Sequence, residues 1–327
     1  MTLRRKVNLT FFFLFLFLVS LRAEEKVYPL EIDVIFSPCP CGDRIYIFSK
    51  NGRNQTLNIE EDAPNCNLFP LNPIVQPVCY QNKTFVADKD GTFYFLSDEG
   101  TKPAGKFSEK IISVHNFREK LFLIYERSIK EFEGREIELP FKAENSFMTE
   151  KGIFIFGQKE FVFYDGENAL RRFPFSEAQA KGAAALKDGF VLCGKTAVFF
   201  LNKKGKVFRK FPIKSEIVSL VSVGEDSVAV ASNDHFVRLF DKKGNVLWQF
   251  RVEGAPLPLL VAKKGILTAS QNGTSLVLIE PKKGTEIWSY SIKEGEIHSL
   301  SLQGSKAVFF SLKENLEWVL NIVDIPQ

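Results

Sequence analysis

A repeat of about 40 residues limits what this chain can fold into more than any other feature of its sequence. The segment 236–250 reads FVRLFDKKGNVLWQF, and 40 residues later the segment 276–290 reads LVLIEPKKGTEIWSY. A weaker copy, VFFLNKKGKVF, lies at 198–208. Self-similarity at this period is typical of chains built from small repeated units that stack against their neighbours.

The composition of each unit predicts β-structure. Short apolar runs alternate with Gly, Asn and Asp turns, and no long stretch has helical spacing. The motif Ile-x-Ser, around Ser113, Ser219 and Ser299, marks the first strand of a unit. A second strand leads to a polar turn, a third precedes the Lys-Lys-Gly turn, and a fourth carries a Trp or a Phe. Four strands in about 40 residues are the size of a propeller blade.

The polar turn between the second and third strands gives the number of units. We place eight such turns, at Asn51-Gly52, Asp90-Gly91, Arg127, Gln158, Gly194, Asp234, Gly273 and Asn315. The last unit ends in a third strand at 320–325, so the segment 27–30 near the N-terminus is expected to supply its fourth strand. We therefore predict an all-β, eight-bladed propeller closed by its N- and C-terminal strands. Seven blades are the alternative, because units three and four are short and degenerate.

The N-terminal segment predicts export. Basic residues at positions 4–6 precede an apolar run at 9–19, and Ala23 offers a small residue for cleavage. This is the plan of a signal peptide over residues 1–23, followed by a propeller domain over 24–327. We expect a periplasmic or secreted protein. An uncleaved anchor is the alternative, and membrane association is expected only in that case.

The charge balance argues against nucleic acid as a partner. The segment 1–23 holds four of the 43 Lys and Arg residues and none of the 39 Asp and Glu residues, so the remaining chain has 39 of each. A nucleic-acid binder needs a surplus of cations to displace counterions from phosphates. The lysine pairs at 203–204, 242–243 and 282–283 are interpreted as solvated hairpin tips.

The five cysteines predict disulfides in the first units. Cys39, Cys41, Cys66 and Cys79 cluster in an exported chain, where thiols oxidise. A bond between Cys39 and Cys41 across one residue would be strained, so each is expected to pair with Cys66 or Cys79. Metal binding by these thiols is the alternative, although no second Cys-x-x-Cys or nearby His supports it. Cys193, in an apolar run, is expected to be buried and unpaired.

The repeat resembles a known family. The pattern Asp241-x-x-Gly244-x-x-x-Trp248 is similar to the docking motif of the quinoprotein (PQQ-like) propeller repeat, and the next copy keeps Gly284 and Trp288 without the leading Asp. The resemblance implies that the Gly makes a turn and that the Trp packs between neighbouring blades. The family includes alcohol and sugar dehydrogenases, and also non-enzymatic scaffolds such as the propeller lipoprotein of the outer-membrane β-barrel assembly machinery.

The residues that the dehydrogenases of this family need do not stand out in this sequence. Such an enzyme needs calcium ligands, a general base and usually a disulfide of adjacent cysteines, and the chain has no adjacent Cys pair. The segment 88–91, Asp-Lys-Asp-Gly, resembles the start of a calcium loop, but no Glu follows at the required distance, which favours a hairpin turn. His115, His235 and His298 fall in three different units and are expected to be structural. No catalytic, cofactor-binding or metal-binding residue is predicted.

These observations favour a non-catalytic scaffold. We expect an exported, monomeric propeller that uses its loops to bind an envelope or secreted protein, with no cofactor. The chain lacks the lipid-attachment Cys of the assembly lipoprotein. A PQQ-like enzyme, or a binder of sugars or other small ligands that uses the central channel, is the alternative function.

Overall fold

The computed structural model describes residues 25–30, 34–49, 52–59, 69–167, 170–175 and 180–326. Within these ranges the chain forms 33 β-strands and no helix. The strands make eight separate antiparallel sheets, which are the blades of a propeller. The predicted signal peptide, Cys66 and Asn51 lie outside the described residues.

The blades follow one another along the chain, except that the first strand, β1 (Glu25–Leu30), belongs to the last blade. Blade 1 comprises β2 (Cys39–Cys41), β3 (Arg44–Ile47), β4 (Arg53–Asn58) and β5 (Phe69–Pro70). Blade 2 comprises β6 (Val78–Tyr80), β7 (Lys83–Ala87), β8 (Thr92–Ser97) and β9 (Gly100–Lys106). Blade 3 comprises β10 (Ile111–Phe117), β11 (Lys120–Tyr125), β12 (Ser128–Glu131) and β13 (Glu136–Glu138). Blade 4 comprises β14 (Asn145–Thr149), β15 (Gly152–Phe156), β16 (Glu160–Tyr164) and β17 (Arg171–Pro174).

The second half of the ring repeats the same plan. Blade 5 comprises β18 (Gly182–Ala185), β19 (Gly189–Cys193), β20 (Ala197–Asn202) and β21 (Val207–Pro212). Blade 6 comprises β22 (Ile217–Val223), β23 (Ser227–Ser232), β24 (Phe236–Asp241) and β25 (Val246–Arg251). Blade 7 has a divided inner strand, β26 (Ala255–Pro256) and β27 (Leu260–Ala262), followed by β28 (Gly265–Gln271), β29 (Ser275–Ile279) and β30 (Glu286–Ser291). Blade 8 comprises β31 (Glu296–Gln303), β32 (Lys306–Leu312) and β33 (Trp318–Asp324), with β1 as its outer strand.

The ring closes as the sequence predicts. Inner strands of successive blades contact one another, and β31 of blade 8 contacts β2 of blade 1. Strand β1 pairs antiparallel with β33, from Glu25 opposite Val323 to Leu30 opposite Trp318. The eight-bladed prediction is confirmed and the seven-bladed alternative is wrong. The described residues of all eight predicted turns lie between second and third strands.

The hydrophobic core lies between blades. Second and third strands are covered on both faces by neighbouring blades, so they appear in the sequence as continuous apolar runs, as in the fully buried strand 153–156. The interface of blades 4 and 5 holds eight buried phenylalanines, namely Phe154, Phe156, Phe161, Phe163, Phe173, Phe175, Phe190 and Phe199. Burying one such ring contributes about 2 to 3 kcal/mol, so these interfaces hold the ring together.

Glycine at the start of a second strand allows the third strand to approach closely. A Cβ added to Gly152, Gly189 or Gly265 would lie 2.4, 1.9 or 2.4 Å from a carbonyl oxygen of the third strand of the same blade. Real Cβ atoms do not come this close to oxygen, so these positions admit no side chain without backbone movement.

The antiparallel blades separate the turns onto two faces. We call the face with the turns between second and third strands the upper face; it also carries the connections from one blade to the next. The lower face carries the turns between first and second strands and between third and fourth strands. The Lys-Lys-Gly turns at 203–205, 242–244 and 282–284 all lie on the lower face.

Candidate functional site

The Asp of the resembling motif holds its turn together. The Asp241 carboxylate accepts hydrogen bonds from the backbone N–H of Lys243 at 2.9 Å and of Asn245 at 2.8 Å, and from Nδ2 of Asn245 at 2.9 Å. In blade 7 the position of Asp241 is taken by Pro281, and the preceding residue, Glu280, takes over the role of the Asp. Its carboxylate accepts a hydrogen bond from the backbone N–H of Lys283 in the turn at 2.6 Å. Both carboxylates therefore accept hydrogen bonds from backbone N–H groups of their own turns, which is a structural role.

Trp248 joins blade 6 to the turn of blade 7. Its indole Nε1–H donates to the carbonyl oxygen of Pro281 at 2.7 Å. The ring lies against Gly284, whose φ is +66°, and a Cβ at that glycine would be 2.5 Å from ring carbons. Trp288, at the equivalent position of blade 7, packs with Tyr290 against the core between blades 7 and 8.

Blade 5 has an arginine, Arg209, at the position that aligns with Trp248. Gly244 has φ +80°, and a Cβ added to it would meet Cδ of Arg209 at 2.7 Å, so Arg209 occupies the place that Trp248 takes one blade later. Phe208, which aligns with Leu247 of blade 6, points outward with 54% of its surface exposed. The fourth strand of blade 5 carries phenylalanine as expected, and its Phe211 packs edge-on against Phe240 of blade 6, with ring centroids 5.0 Å apart.

The cysteines join the first two blades. Cys41 on β2 forms a disulfide with Cys79 on β6, which is one of the predicted pairings. Cys39 differs from the expectation, because it is a free buried thiol whose Sγ lies 3.6 Å from the carbonyl oxygen of Pro77. Burial raises the pKa of the Cys39 thiol to about 12, so it is protonated and unreactive at neutral pH. Cys193 is free and buried, as predicted.

A hydroxyl and imidazole cluster lies on the inner strands of blades 3 and 4. Nε2 of His115 is 2.7 Å from Oγ of Ser146 and 3.1 Å from Oγ of Ser113, and the two serine hydroxyls are hydrogen-bonded to each other. Burial lowers the pKa of the His115 imidazole to about 4, which keeps it neutral. The cluster opens onto a cavity of about 510 Å³ that also contains Met148 and Ile74 in its wall. No Asp or Glu is among the described residues that line this cavity.

The other sequence candidates serve the framework. His298 is the extra residue of a β-bulge on β31, and its ring packs edge-on against Trp318 at 5.2 Å. Ser219 Oγ accepts the backbone N–H of Leu259 at 2.9 Å, which ties blade 6 to blade 7. The carboxylate of Asp88 accepts hydrogen bonds from the backbone N–H of Lys89, in its own blade, and of Asn72, in the connection that leads into that blade. Among the described residues, no group of three His, Cys, Asp or Glu side chains is placed to hold a metal ion.

A recess on the upper face between blades 7 and 8 was not anticipated from the sequence. Its volume is about 860 Å³, and its walls include Asn272, Thr274, Lys293, Glu294 and Leu316. The side chain of Leu316 is 76% exposed, and its backbone has φ +64°. The sequence signal was weak, because a single apolar residue such as Leu316 can occur in a polar turn by chance.

Comparisons with known proteins agree with this geometry. The family model described as outer membrane protein assembly factor BamB matches residues 167–310, from the outer strand of blade 4 into the second strand of blade 8. The crystal structure of BamB from Moraxella catarrhalis superimposes with a TM-score of 0.59 at 11% identity, covering 92% of this chain and 85% of that one. The chain is a PQQ-like repeat propeller similar to BamB.

Other solved propellers share the architecture of this BamB-like chain. The computationally designed protein Ika8 has a TM-score of 0.68 at 12% identity, covering 91% of this chain and 98% of that one. The WD40 β-propeller domain of Doa1 has a TM-score of 0.57 at 12% identity, covering 93% and 98%. Because the identities are this low, these likenesses show the fold alone. No curated protein matches the chain.

The BamB-like repeats and the distinctive features of the chain occupy different parts of the ring. The matched region contains Asp241, Gly244, Trp248, Gly284 and Trp288. The disulfide of blades 1 and 2 and the exposed leucine of blade 8 lie outside it. Within the ranges that the structure covers, no helix is long and apolar enough to cross a bilayer.

Proposed function

We propose that this chain is an exported, non-catalytic scaffold that binds another protein of the cell envelope. The observation that carries the proposal is the match of the BamB family model to three consecutive blades of a closed, rigid ring. A ring whose blades are fixed by buried aromatic interfaces holds its loops in a constant arrangement, which suits recognition of a protein surface.

The upper recess between blades 7 and 8 is the part of the surface best suited to this role. Leu316 holds a left-handed backbone conformation that costs a non-glycine residue about 1 to 2 kcal/mol, and it displays its apolar side chain to solvent. Strain kept at an exposed position is typical of functional sites. Charges of both signs, from Lys293, Glu294, Lys313 and Glu314, surround the leucine, as polar residues surround the anchor of a protein interface.

The test is affinity capture from solubilised envelope of the source cells, with the chain as bait. The wild type should retain an envelope protein. Leu316→Asn should bind that protein with about 30-fold lower affinity, which is the effect of removing an interface hot spot. Asn tolerates the left-handed backbone, so the melting temperature should not fall. Val261→Ser, which removes another exposed apolar side chain from an inner strand, is the matched control.

Two results would refute parts of this proposal. If the wild type retains no envelope protein, the scaffold function is wrong. If Leu316→Asn and Val261→Ser retain the same protein equally well, the scaffold function stands and the recess is the wrong site.

The cavity beside His115 favours a second candidate, a small-ligand binder or PQQ-like enzyme. Two hydroxyls and a neutral imidazole can donate and accept hydrogen bonds to a sugar or a quinone. Melting curves with calcium and pyrroloquinoline quinone, and with sugars, test this function. A ligand that raises the melting temperature of the wild type but not of His115→Gln would support it, and the absence of any shift would remove it.

A further inference from the structure

The outer strands of blades 5, 6 and 7 each contain a β-bulge at the same position. The pairing register slips after Phe200 in blade 5, after Leu239 in blade 6 and after Leu278 in blade 7. The extra residue of a bulge leaves the ladder and has its side chain re-aimed. The three extra residues are large and apolar, and they are exposed by 54%, 54% and 43%: Phe208, Leu247 and Ile287. The blades therefore present three aligned apolar projections along the outer edge of the lower face.

Lysines precede each of these projections in the lower-face turns. They are Lys203, Lys204 and Lys206 in blade 5, Lys242 and Lys243 in blade 6, and Lys282 and Lys283 in blade 7. Blade 5 with its flanking connections, residues 181–216, has nine Lys and Arg against two Asp and Glu, whereas the chain after residue 23 is neutral as a whole. Of the seven turn lysines, Lys242 forms ion pairs with Asp188 and Asp226 at 2.8 and 3.1 Å. Three of these nine cations, Lys203, Lys204 and Lys206, lie in the lower-face turn of blade 5.

The N-terminal strand begins on the same face, one blade further round the ring. Glu25, its first residue, pairs with Val323 at the lower end of blade 8, next to blade 7. The start of β1, the three projections and the lysine turns thus belong to neighbouring blades and to one face.

We propose that this lower rim of blades 5–7, defined by Phe208, Leu247, Ile287 and the seven turn lysines, docks onto an anionic lipid surface. Separate apolar projections flanked by lysines match the chemistry of a bilayer interface, where apolar groups enter below the headgroups and cations meet lipid phosphates. The apolar side chains project from the rim and do not line a recess, which favours a deformable lipid surface over the side chains of a protein.

Vesicle sedimentation tests the proposal with the chain from Glu24 onward, because every strand that the structure describes lies between residues 25 and 324. The probes are vesicles of phosphatidylcholine alone and of phosphatidylcholine with a third phosphatidylglycerol. The wild type should bind the anionic vesicles, and high salt should weaken this binding. Changing Phe208, Leu247 and Ile287 together to Ser should lower the partition coefficient roughly 100-fold, since about half of each side chain is available for burial.

Two further variants separate charge from apolar contact. Changing Lys203, Lys204 and Lys206 together to Gln should lower binding to anionic vesicles roughly 100-fold and leave binding to neutral vesicles unchanged. The matched control changes three exposed apolar residues away from the rim to Ser and should bind as the wild type does. These are Ile74, Met148 and Val261, exposed by 43%, 46% and 50%.

Each outcome decides the question. Equal binding by the wild type and the rim variant, or no binding of the wild type to anionic vesicles, overturns the proposal. Another result is that the wild type fails to bind vesicles and yet retains, in affinity capture, an envelope protein that the rim variant does not retain. In that case the rim is a protein interface and the proposal is again wrong. Unchanged melting temperatures for all three variants will show that the losses come from the surface.

Discussion

The contact of Trp248 with Gly284 should be strongly non-additive under mutation. Trp248→Ala should cost about 3 kcal/mol, of which about 2 come from the half-buried indole ring and about 1 from its hydrogen bond to Pro281. Gly284→Ala should also cost about 3 kcal/mol, because the backbone is left-handed and the new Cβ would meet the ring at 2.5 Å. In the double variant the ring is gone and only the backbone strain remains, so the total should be about 4 kcal/mol.

Urea unfolding and melting curves of the four proteins measure this coupling of about 2 kcal/mol. For a domain of this size, each kcal/mol should lower the melting temperature by about 2 °C. Trp248→Phe should lose about 1 kcal/mol, since the ring stays and only the N–H donor is lost. Leu247→Ala, at the neighbouring exposed position, should change stability by less than about 0.5 kcal/mol. If the two main substitutions add without coupling, the indole does not depend on the absence of a side chain in the next blade.

Three further predictions concern stability. Cys79→Ser should cost about 3 to 4 kcal/mol, because the bond to Cys41 closes a separation of 38 residues, and melting curves of the variant should no longer respond to reductant. Burial lowers the pKa of His115 in the folded chain from 6.5 to about 4. As pH falls, the unfolded chain therefore binds a proton at this residue before the folded chain does. The free energy of unfolding should be unaffected by this residue above pH 6.5 and should fall by about 3 kcal/mol by pH 4. His115→Gln should flatten the corresponding part of the unfolding free energy against pH, and an unchanged profile would contradict the assignment. Gly189→Ala should lower the melting temperature far more than Gly224→Ala, because only the first adds a clash, at 1.9 Å, whereas the second has φ +67° and open space.

The architecture could be predicted because its signals are local. Turn glycines, Asn and Asp mark each hairpin, and strands buried on both faces must be apolar throughout. Closure of the ring followed from counting strands, since the predicted third strand at 320–325, which the structure places at 318–324, has no successor and needs a partner from elsewhere in the chain. The pairing of β1 with β33 satisfies that need. These inferences needed only the sequence order and the hydrogen-bonding demands of a sheet edge.

The surface could not be predicted in the same way, because single-residue register shifts decide it. In blades 5, 6 and 7 a bulge leaves one large apolar residue unpaired and exposed, as at Phe208, next to the residue that docks on the neighbouring blade. The motif Ile-x-Ser also marks a bulge, as in the shift between Ile217 and Ser219, and its regular spacing gave no hint of this. Cys39 stays a thiol although Cys41, two residues on in the same strand, bonds Cys79, and the spacing of the cysteines left this pairing open.

The two proposed contacts lie on opposite faces, and this separation has a consequence for how the chain would work. The recess at Leu316 belongs to a turn between second and third strands, whereas Phe208 follows a turn between third and fourth strands. In an antiparallel blade these turns are at opposite ends of the strands, so neither contact blocks the other. A chain resting on lipid through its lower rim would direct the upper recess away from the membrane. Protein capture by the recess should therefore proceed equally well on vesicle-bound and free chain, because blades fixed by buried aromatic interfaces transmit little change from one face to the other.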